Sequence, residues 1–229
     1  MKHYLNVYKR LLIINFSQIT AYRANFINFL ISGTIWGIFS IFSTLLITSR
    51  VNTVLGWSRA EILLLTIVNQ FIIAIFHALF SSNLERFPLY VQQGKLDTYL
   101  LKPIDSQVLV SVWFIRIISL SRILIALVFL WYVSVTFDIH ISLINVIMSI
   151  PLMLIGLFIL YSIWFVVCVL SIWFTRLTNL PEILYNLNSV TRYPPQIYQE
   201  LGFIVFLVVF PMTIVGVTPL EGFLGKLSL

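Results

Sequence analysis

Long apolar runs bounded by single charges set the layout of the chain. No charge lies between Arg23 and Arg50, and the run is apolar from Phe26 to Ile47. A helix needs about 20 apolar residues to cross about 30 Å of hydrocarbon, so this run predicts a first membrane span. A second, Ile62 to Leu84, lies between Glu61 and Glu85. A third ends at Phe137. Counted back by about 20 residues it starts near Ile118, which places Arg122 inside it, near one end. The charge-free stretch between Asp138 and Arg176 would make roughly 55 Å of helix, too long for one crossing. Pro151 is expected to break it, leaving an interfacial piece and a fourth span from Leu152 to Phe174. The fifth run, Leu201 to Val217, is short and interrupted by Pro211. These runs lack the alternation and short length of barrel strands. The first is too long for the apolar part of a secretory leader, and no small-residue cleavage site follows it. The pattern predicts an all-α polytopic membrane protein with five spans.

Composition agrees. Of the 229 residues 60% are hydrophobic and 10% charged, against about 45–50% and about 25% in a soluble domain. A soluble fold of this size could not cover that much apolar surface, which excludes a soluble enzyme, a nucleic-acid binder and a disordered chain. The net charge of +6 comes from 14 Lys and Arg that form no dense basic run, so it reads as membrane topology, with no nucleic-acid partner. If the N-terminus is cytoplasmic, the inner side holds Lys2, Lys9, Arg10, Arg23, Arg86, Lys95, Lys102, Arg176 and Arg192, with Arg116 and Arg122 at the inner start of the third span. The outer side then holds only Arg50, Arg59 and Lys226, so the charge bias favours a cytoplasmic N-terminus in the cell membrane. The single cysteine, Cys168, excludes an internal disulfide and a Cys-based metal cluster.

Residues 1–22 form an amphipathic arm. Leu5, Tyr8, Leu12, Phe16 and Ile19 recur at helical spacing, with Lys2, Asn6, Lys9 and Arg10 mostly opposite. Such a helix can lie in the headgroup plane as a simple topology element, or pack against a cytoplasmic partner. The loop 85–105 after the second span carries more information. Gly94 can stop one short helix. Leu96, Tyr99 and Leu100 make an apolar patch at helical spacing, and Pro103 closes the segment. Its charges cancel, Arg86, Lys95 and Lys102 against Glu85, Asp97 and Asp105. A short amphipathic helix on such a loop suits a groove on a soluble partner, or merely rests on lipid.

Gly94-x-Leu96-Asp97-x-x-Leu100-x-Lys102-Pro103, placed after two spans, resembles the loop motif of ABC-2 type exporter permeases, in the branch described as ABC-2 family transporter protein. Arg192-Tyr193-Pro194 also resembles a feature of that branch. The resemblance covers nearly the whole chain. It implies an ABC-2, type V exporter fold, with two permease subunits on two cytoplasmic ABC ATPases. The branch often pairs two different permeases, so a homodimer or a heterodimer fits. The loop would be the ATPase-coupling element through Gly94, Lys95, Leu96, Asp97, Tyr99, Leu100, Lys102 and Pro103, and the N-terminal arm a connecting helix. The family normally has six spans. Five are legible here, and Gly222–Leu229 stands where a sixth would be approached, with five spans placing the C-terminus outside. ATP would be hydrolysed on the partner, and no cofactor is expected in this chain. No G-x-x-x-x-G-K-[ST] motif occurs: Gly225-Lys226 has Leu220 and Leu227 at the other key positions.

Inside the spans, Thr66, Gln70, Ala74, His77 and Ser81 share one face of the second span, flanked by Asn69. Polar groups in hydrocarbon are costly, so the stripe should face protein or water. It reads either as interhelical hydrogen bonding or as a wall of a substrate path or dimer seam, and the resemblance favours the latter because spans two and five line the family's dimer interface. His77 has no second ligand spaced to form a metal site. Gly33-x-x-x-Gly37 permits close helix contact. Arg122 can snorkel to the headgroups or bind an anionic substrate, and Cys168 reads as a small packed residue. A membrane enzyme lacks its carboxylate pairs or His clusters in the spans. A secondary transporter or channel is the alternative reading, although all eight acids lie in loops or at span ends.

Overall fold

The structure is a computed structural model that describes residues 2–21, 23–50, 53–54, 56–116, 119, 121–139, 142–174, 179–198 and 203–226. Ile118, Arg176, Leu201, 227–229 and the side chains of Leu5, Tyr8 and Ile19 lie outside the described residues. Among the described residues the fold is all-α apart from one hairpin of two-residue strands. Helix α1 (Lys2–Ala21) leads into α2 (Arg23–Ser49), the first predicted span. Strands β1 (Thr53–Val54) and β2 (Trp57–Ser58) pair antiparallel, Thr53 with Ser58 and Val54 with Trp57. Helix α3 (Arg59–Phe76), a π turn (His77–Ser81) and α4 (Ser82–Leu84) make one rod that matches the second predicted span. Three short helices follow, α5 (Phe87–Gln92), α6 (Leu96–Leu100) and α7 (Ser106–Val112). Then come α8 (Ser121–Thr136), α9 (Leu143–Leu170), α10 (Leu180–Val190), a 3-10 turn (Pro195–Tyr198) and α11 (Phe203–Leu224). Among the described residues three helices are long and apolar enough to cross a membrane, and α8 and part of α11 are shorter apolar helices.

The rod is the axis of the fold. It packs against α2, α8, α9 and α11, and Leu63, Leu64, Leu65, Ile67 and Phe76 are fully enclosed. Its start at the hairpin end is fixed by a capping box: the Ser58 hydroxyl accepts from the Glu61 amide, and the Glu61 carboxylate accepts from the Ser58 amide at 2.8 Å. Lys226 pairs with the same carboxylate, which brings the last turn of α11 to the hairpin end. By contrast α2 and α9 expose large side chains on most of their length, among them Ile35, Trp36, Phe39, Leu154 and Phe158. In water such a surface would be a liability; facing lipid it is the expected exterior.

Two expected helix breaks do not occur. Helix α9 continues through Pro151 from Leu143, and α11 continues through Pro211 and Pro219 to Leu224, beyond the Val217 expected. A membrane helix tolerates proline because neighbouring segments and local adjustments satisfy the freed carbonyl, and α9 and α11 support each other along a shared seam. At that seam a Cβ on Gly156 would stand 3.0 Å from the Val215 carbonyl oxygen, so the backbones approach closely.

The approach to the third span is the opposite case: α8 is continuous over the expected span, but the chain ahead of it is broken. Helix α7 ends at Val112 and α8 starts only at Ser121, with Trp113–Arg116 non-helical between them. Two asparagines supply the hydrogen bonds that a helix would have made. Asn83 donates to the Phe114 carbonyl at 2.8 Å and accepts from the Phe114 amide at 2.7 Å. From the other side Asn15 of α1 donates to the Trp113 carbonyl at 3.1 Å and accepts from the Ile115 amide at 3.3 Å. The Arg116 amide donates to the Ala78 carbonyl, 2.8 Å away in the π turn. The arm thus faces the protein through Leu11 and Asn15, both buried, while Leu12 and Phe16 of its predicted apolar stripe are exposed. The polar residue turns inward because it has backbone groups to satisfy, and the apolar ones meet lipid without penalty.

Asn83→Ala should therefore lower thermal stability in detergent by roughly 1–3 kcal/mol for each buried backbone group it orphans, and Asn15→Ala should release α1 with a smaller loss. Thermal melts of the two purified variants check this; an unchanged midpoint in Asn83→Ala would refute the clamp.

Candidate functional site

The loop after the rod is built on a helix stop. Gly94 adopts φ +65°, with its amide donating to the Val91 carbonyl at 3.2 Å and the Lys95 amide to the Tyr90 carbonyl at 2.9 Å. These are the two bonds of a Schellman turn, with glycine at the left-handed position. Helix α6 then folds back. Tyr99 stacks on Tyr90 with ring centroids 5.2 Å apart and meets the Trp113 ring edge-on at 6.0 Å. Lys102 Nζ lies 4.1 Å from the Trp113 ring centroid and 5.2 Å from that of Tyr99. Burial, and the hydrogen bond to Tyr90, push the Tyr99 phenol up to about 12, so it stays neutral at physiological pH.

This clamp sorts the predicted patch into two sides. Leu96 and Tyr99 pack inward on the core, whereas Leu100 projects outward. Leu101, which sequence spacing did not single out, is 86% exposed beside it. Lys95, Asp97 and Pro103 are exposed around this tip. The tip is not an independent flap. Trp113, which the clamp holds, is the first residue of the break that Asn15 and Asn83 pin, and Arg86 lies 4.1 Å over the Phe114 ring.

The stripe on the rod is enclosed by the chain itself. Thr66, Asn69, Gln70, His77 and Ser81 are all buried. Thr66 donates to the Ile62 carbonyl and reaches Thr44 of α2 at 3.4 Å. Asn69 hydrogen-bonds Thr191 at the end of α10, and a Cβ on Gly216 would stand 2.6 Å from the Thr191 carbonyl oxygen, so only glycine lets α11 pass there. His77 Nδ1 and Ser81 Oγ are 2.9 Å apart within the π turn. The His77 ring stacks on Tyr185 of α10, whose hydroxyl donates to Glu85; Arg116 lies 3.9 Å from the same carboxylate. The rod's polar face therefore ties α2, α10 and the break of span three together. Among the described residues no three His, Cys, Asp or Glu side chains cluster as metal ligands.

Sequence reasoning missed α10. It has 11 residues, with Glu182, Asn186 and Asn188 along it, and cannot span hydrocarbon by itself. It nonetheless rises from the level of Glu85 to that of Asn69. This corrects the place of Arg192-Tyr193-Pro194: Arg192 was expected among the inner-side charges, whereas the three residues line a cavity of about 190 Å³ with Ser40, Thr44, Thr48 and Thr66, towards the hairpin. The Trp57 indole donates to Gln196 at 3.2 Å, so the chain reaches the hairpin just beyond them. The signal that could have shown this was Asn188, a polar residue that accepts from the buried Trp164 indole at 2.9 Å.

Gly33 and Gly37 do allow close packing. Cβ atoms there would stand 3.9 Å from Arg122 Nε and 3.2 Å from Ile125 Cδ1 of α8. The half-buried Arg122 has its Nε buried between α2 and α8 with no hydrogen-bond partner among the described residues. With Arg116, Ser32, Ser119, Phe29 and Trp36 it lines a cavity of about 350 Å³. Cys168 is buried, its thiol 3.3 Å from the Leu84 carbonyl oxygen.

The family described as ABC-2 family transporter protein matches residues 17–229, from the last turn of α1 through α11. No curated protein and no solved structure matches the chain. The family match covers the apolar helices, the loop with its glycine stop and the Arg-Tyr-Pro segment together. The chain belongs to the ABC-2 family transporter proteins, and is a multi-pass membrane permease of an ABC-type transporter.

Proposed function

We propose that this permease is the membrane subunit of an exporter powered by a separate cytoplasmic ABC ATPase, which docks on the tip of the loop 85–105. The observation that carries this reading is the pairing of an exposed Leu100–Leu101 tip with a rigid mount. A displacement of the tip is transmitted through Trp113 to the break of span three. From there it passes through Asn83 to the rod and through Asn15 to α1. The polar face of the rod relays it to α2 and α10 through Thr66, Asn69 and His77. The N-terminus and the loop lie on the cytoplasmic side of the cell membrane, where Lys2, Lys9, Arg10, Lys95 and Lys102 gather. The working unit is a pair of permeases, identical or different, and ATP is bound by the partner ATPases.

Three measurements test this. Leu100→Asp with Leu101→Asp should leave membrane insertion intact and abolish copurification of the ATPase; undiminished copurification would overturn the docking site. In a Cys168→Ala background, Thr53→Cys and Ser142→Cys should react with an impermeant thiol reagent in intact cells, and Lys95→Cys should not. The reverse pattern would invert the orientation. Gln70→Leu and His77→Leu should change export or ATPase stimulation per assembled complex. If each assembled complex exports normally and only assembly falls, by roughly a kcal/mol or less per lost bond, the stripe is helix packing alone.

A further inference from the structure

The cavity between α2 and the start of α8 combines features that a hydrocarbon environment does not favour. Phe29 to Trp36 lie about 5–15 Å along α2 from Phe26, at 1.5 Å per residue, so the cavity is well inside the span. Two guanidinium groups, Arg116 and Arg122, and two hydroxyls, Ser32 and Ser119, converge there. Arg116 has Glu85 as a distant counter-charge at 3.9 Å. Arg122 pairs with no carboxylate among the described residues, and Arg116 and Arg192 add like charge near it. Its Nε and the neighbouring Ser121 Oγ are buried with their hydrogen-bonding capacity unused. Helix α8 starts at Ser121, so its first amides also lack intrahelical acceptors and carry the positive end of the helix dipole at this depth. A cation inside a span normally faces a partner of opposite charge. Every polar group that lines this cavity is a donor or can act as one, and among the described residues Glu85 beside Arg116 is the one carboxylate near them, leaving Arg122 unmatched.

We propose that this cavity binds the phosphate of a net-anionic amphiphile, a membrane lipid headgroup that carries no cation of its own, drawn below the interface. The two arginines take the phosphate oxygens, as guanidinium forks do, with the Ser32 and Ser119 hydroxyls beside them. The source is lipid because the rim is apolar and open to the bilayer: Phe29 and Trp36, which line the cavity, are both about half-exposed. An acyl chain can rest on that rim while the head enters. Under the export reading this is where an anionic amphiphilic cargo is loaded, and only that cargo role rests on the export reading. Binding itself belongs to the permease and needs no ATPase.

The test uses the purified full chain in nanodiscs of phosphatidylcholine doped with phosphatidylglycerol, followed by native mass spectrometry of retained lipid. Phosphatidylglycerol should be retained over phosphatidylcholine, and inorganic phosphate should not displace it. Arg122→Gln should lower that retention about tenfold, the loss of one charged hydrogen-bonding partner. Gly33→Leu should do the same by filling the cavity from the α2 wall without removing a charge, which keeps the test open if Arg122→Gln fails to fold. Arg59→Gln, at the hairpin end, should leave retention unchanged. Equal retention of both lipids, or full retention in Gly33→Leu, would overturn the site. Binding of inorganic phosphate without lipid preference would overturn the lipid assignment. Export that fails in a variant with intact lipid retention would count against the docking or relay reading and leave this site standing.

Discussion

Backbone amides and carbonyls that leave a helix within hydrocarbon have to be paired by something else, and two carboxamides meet that requirement here. Asn15 and Asn83 flank Trp113–Ile115 and bond its carbonyls and amides from both sides, much as two neighbouring strands would. Without them the third span would have to be helical through this stretch to satisfy itself, and α8 would start nearer the membrane surface. With them the chain can stop, turn and restart at Ser121. That single local solution sets the depth at which α8 begins, the anchorage of the N-terminal arm and the rigidity of the loop behind Trp113.

The polar content of the rod follows the same logic. In lipid, apolar contact between helices gains little over contact with acyl chains, so specific positions are fixed by hydrogen bonds and close packing. Thr66, Asn69 and His77 each find a partner outside the rod: Thr44 of α2, Thr191 at the end of α10, and Tyr185 within α10. The π turn contributes by releasing the Ala78 carbonyl to the Arg116 amide. Glycine complements these bonds where a side chain would not fit, most clearly at Gly216 against the Thr191 carbonyl.

The long apolar runs made α2 and the rod legible from sequence, because a charge-free run of that length has only one use. Gly94 was legible for a similar reason, as a left-handed helix stop ahead of Leu96. Pro151 and Pro211 misled because their penalty in water is much larger than in a supported membrane helix. The break at Trp113–Arg116 was invisible: its bonds come from Asn15 and Asn83, about 100 and 30 residues away, and no local pattern encodes a partner at that distance. Helix α10 escaped because it is half a span long, and Leu101 because exposure of two adjacent leucines depends on which way the Tyr90–Tyr99–Trp113 stack turns α6. The polar stripe was legible as a stripe, yet its enclosure by α2, α10 and α11 was a tertiary fact.

The unequal wrapping of the helices divides the molecule mechanically. The rod is held by directional bonds that break completely when displaced by an ångström or two. Helices α2 and α9 present mainly smooth apolar flanks to lipid, and sliding such a flank exchanges one acyl chain for another at almost no cost. The rod is then the stiff centre, and lipid can flow along the outer flanks of α2 and α9 while their inner faces stay tied to it through Thr44 and Cys168.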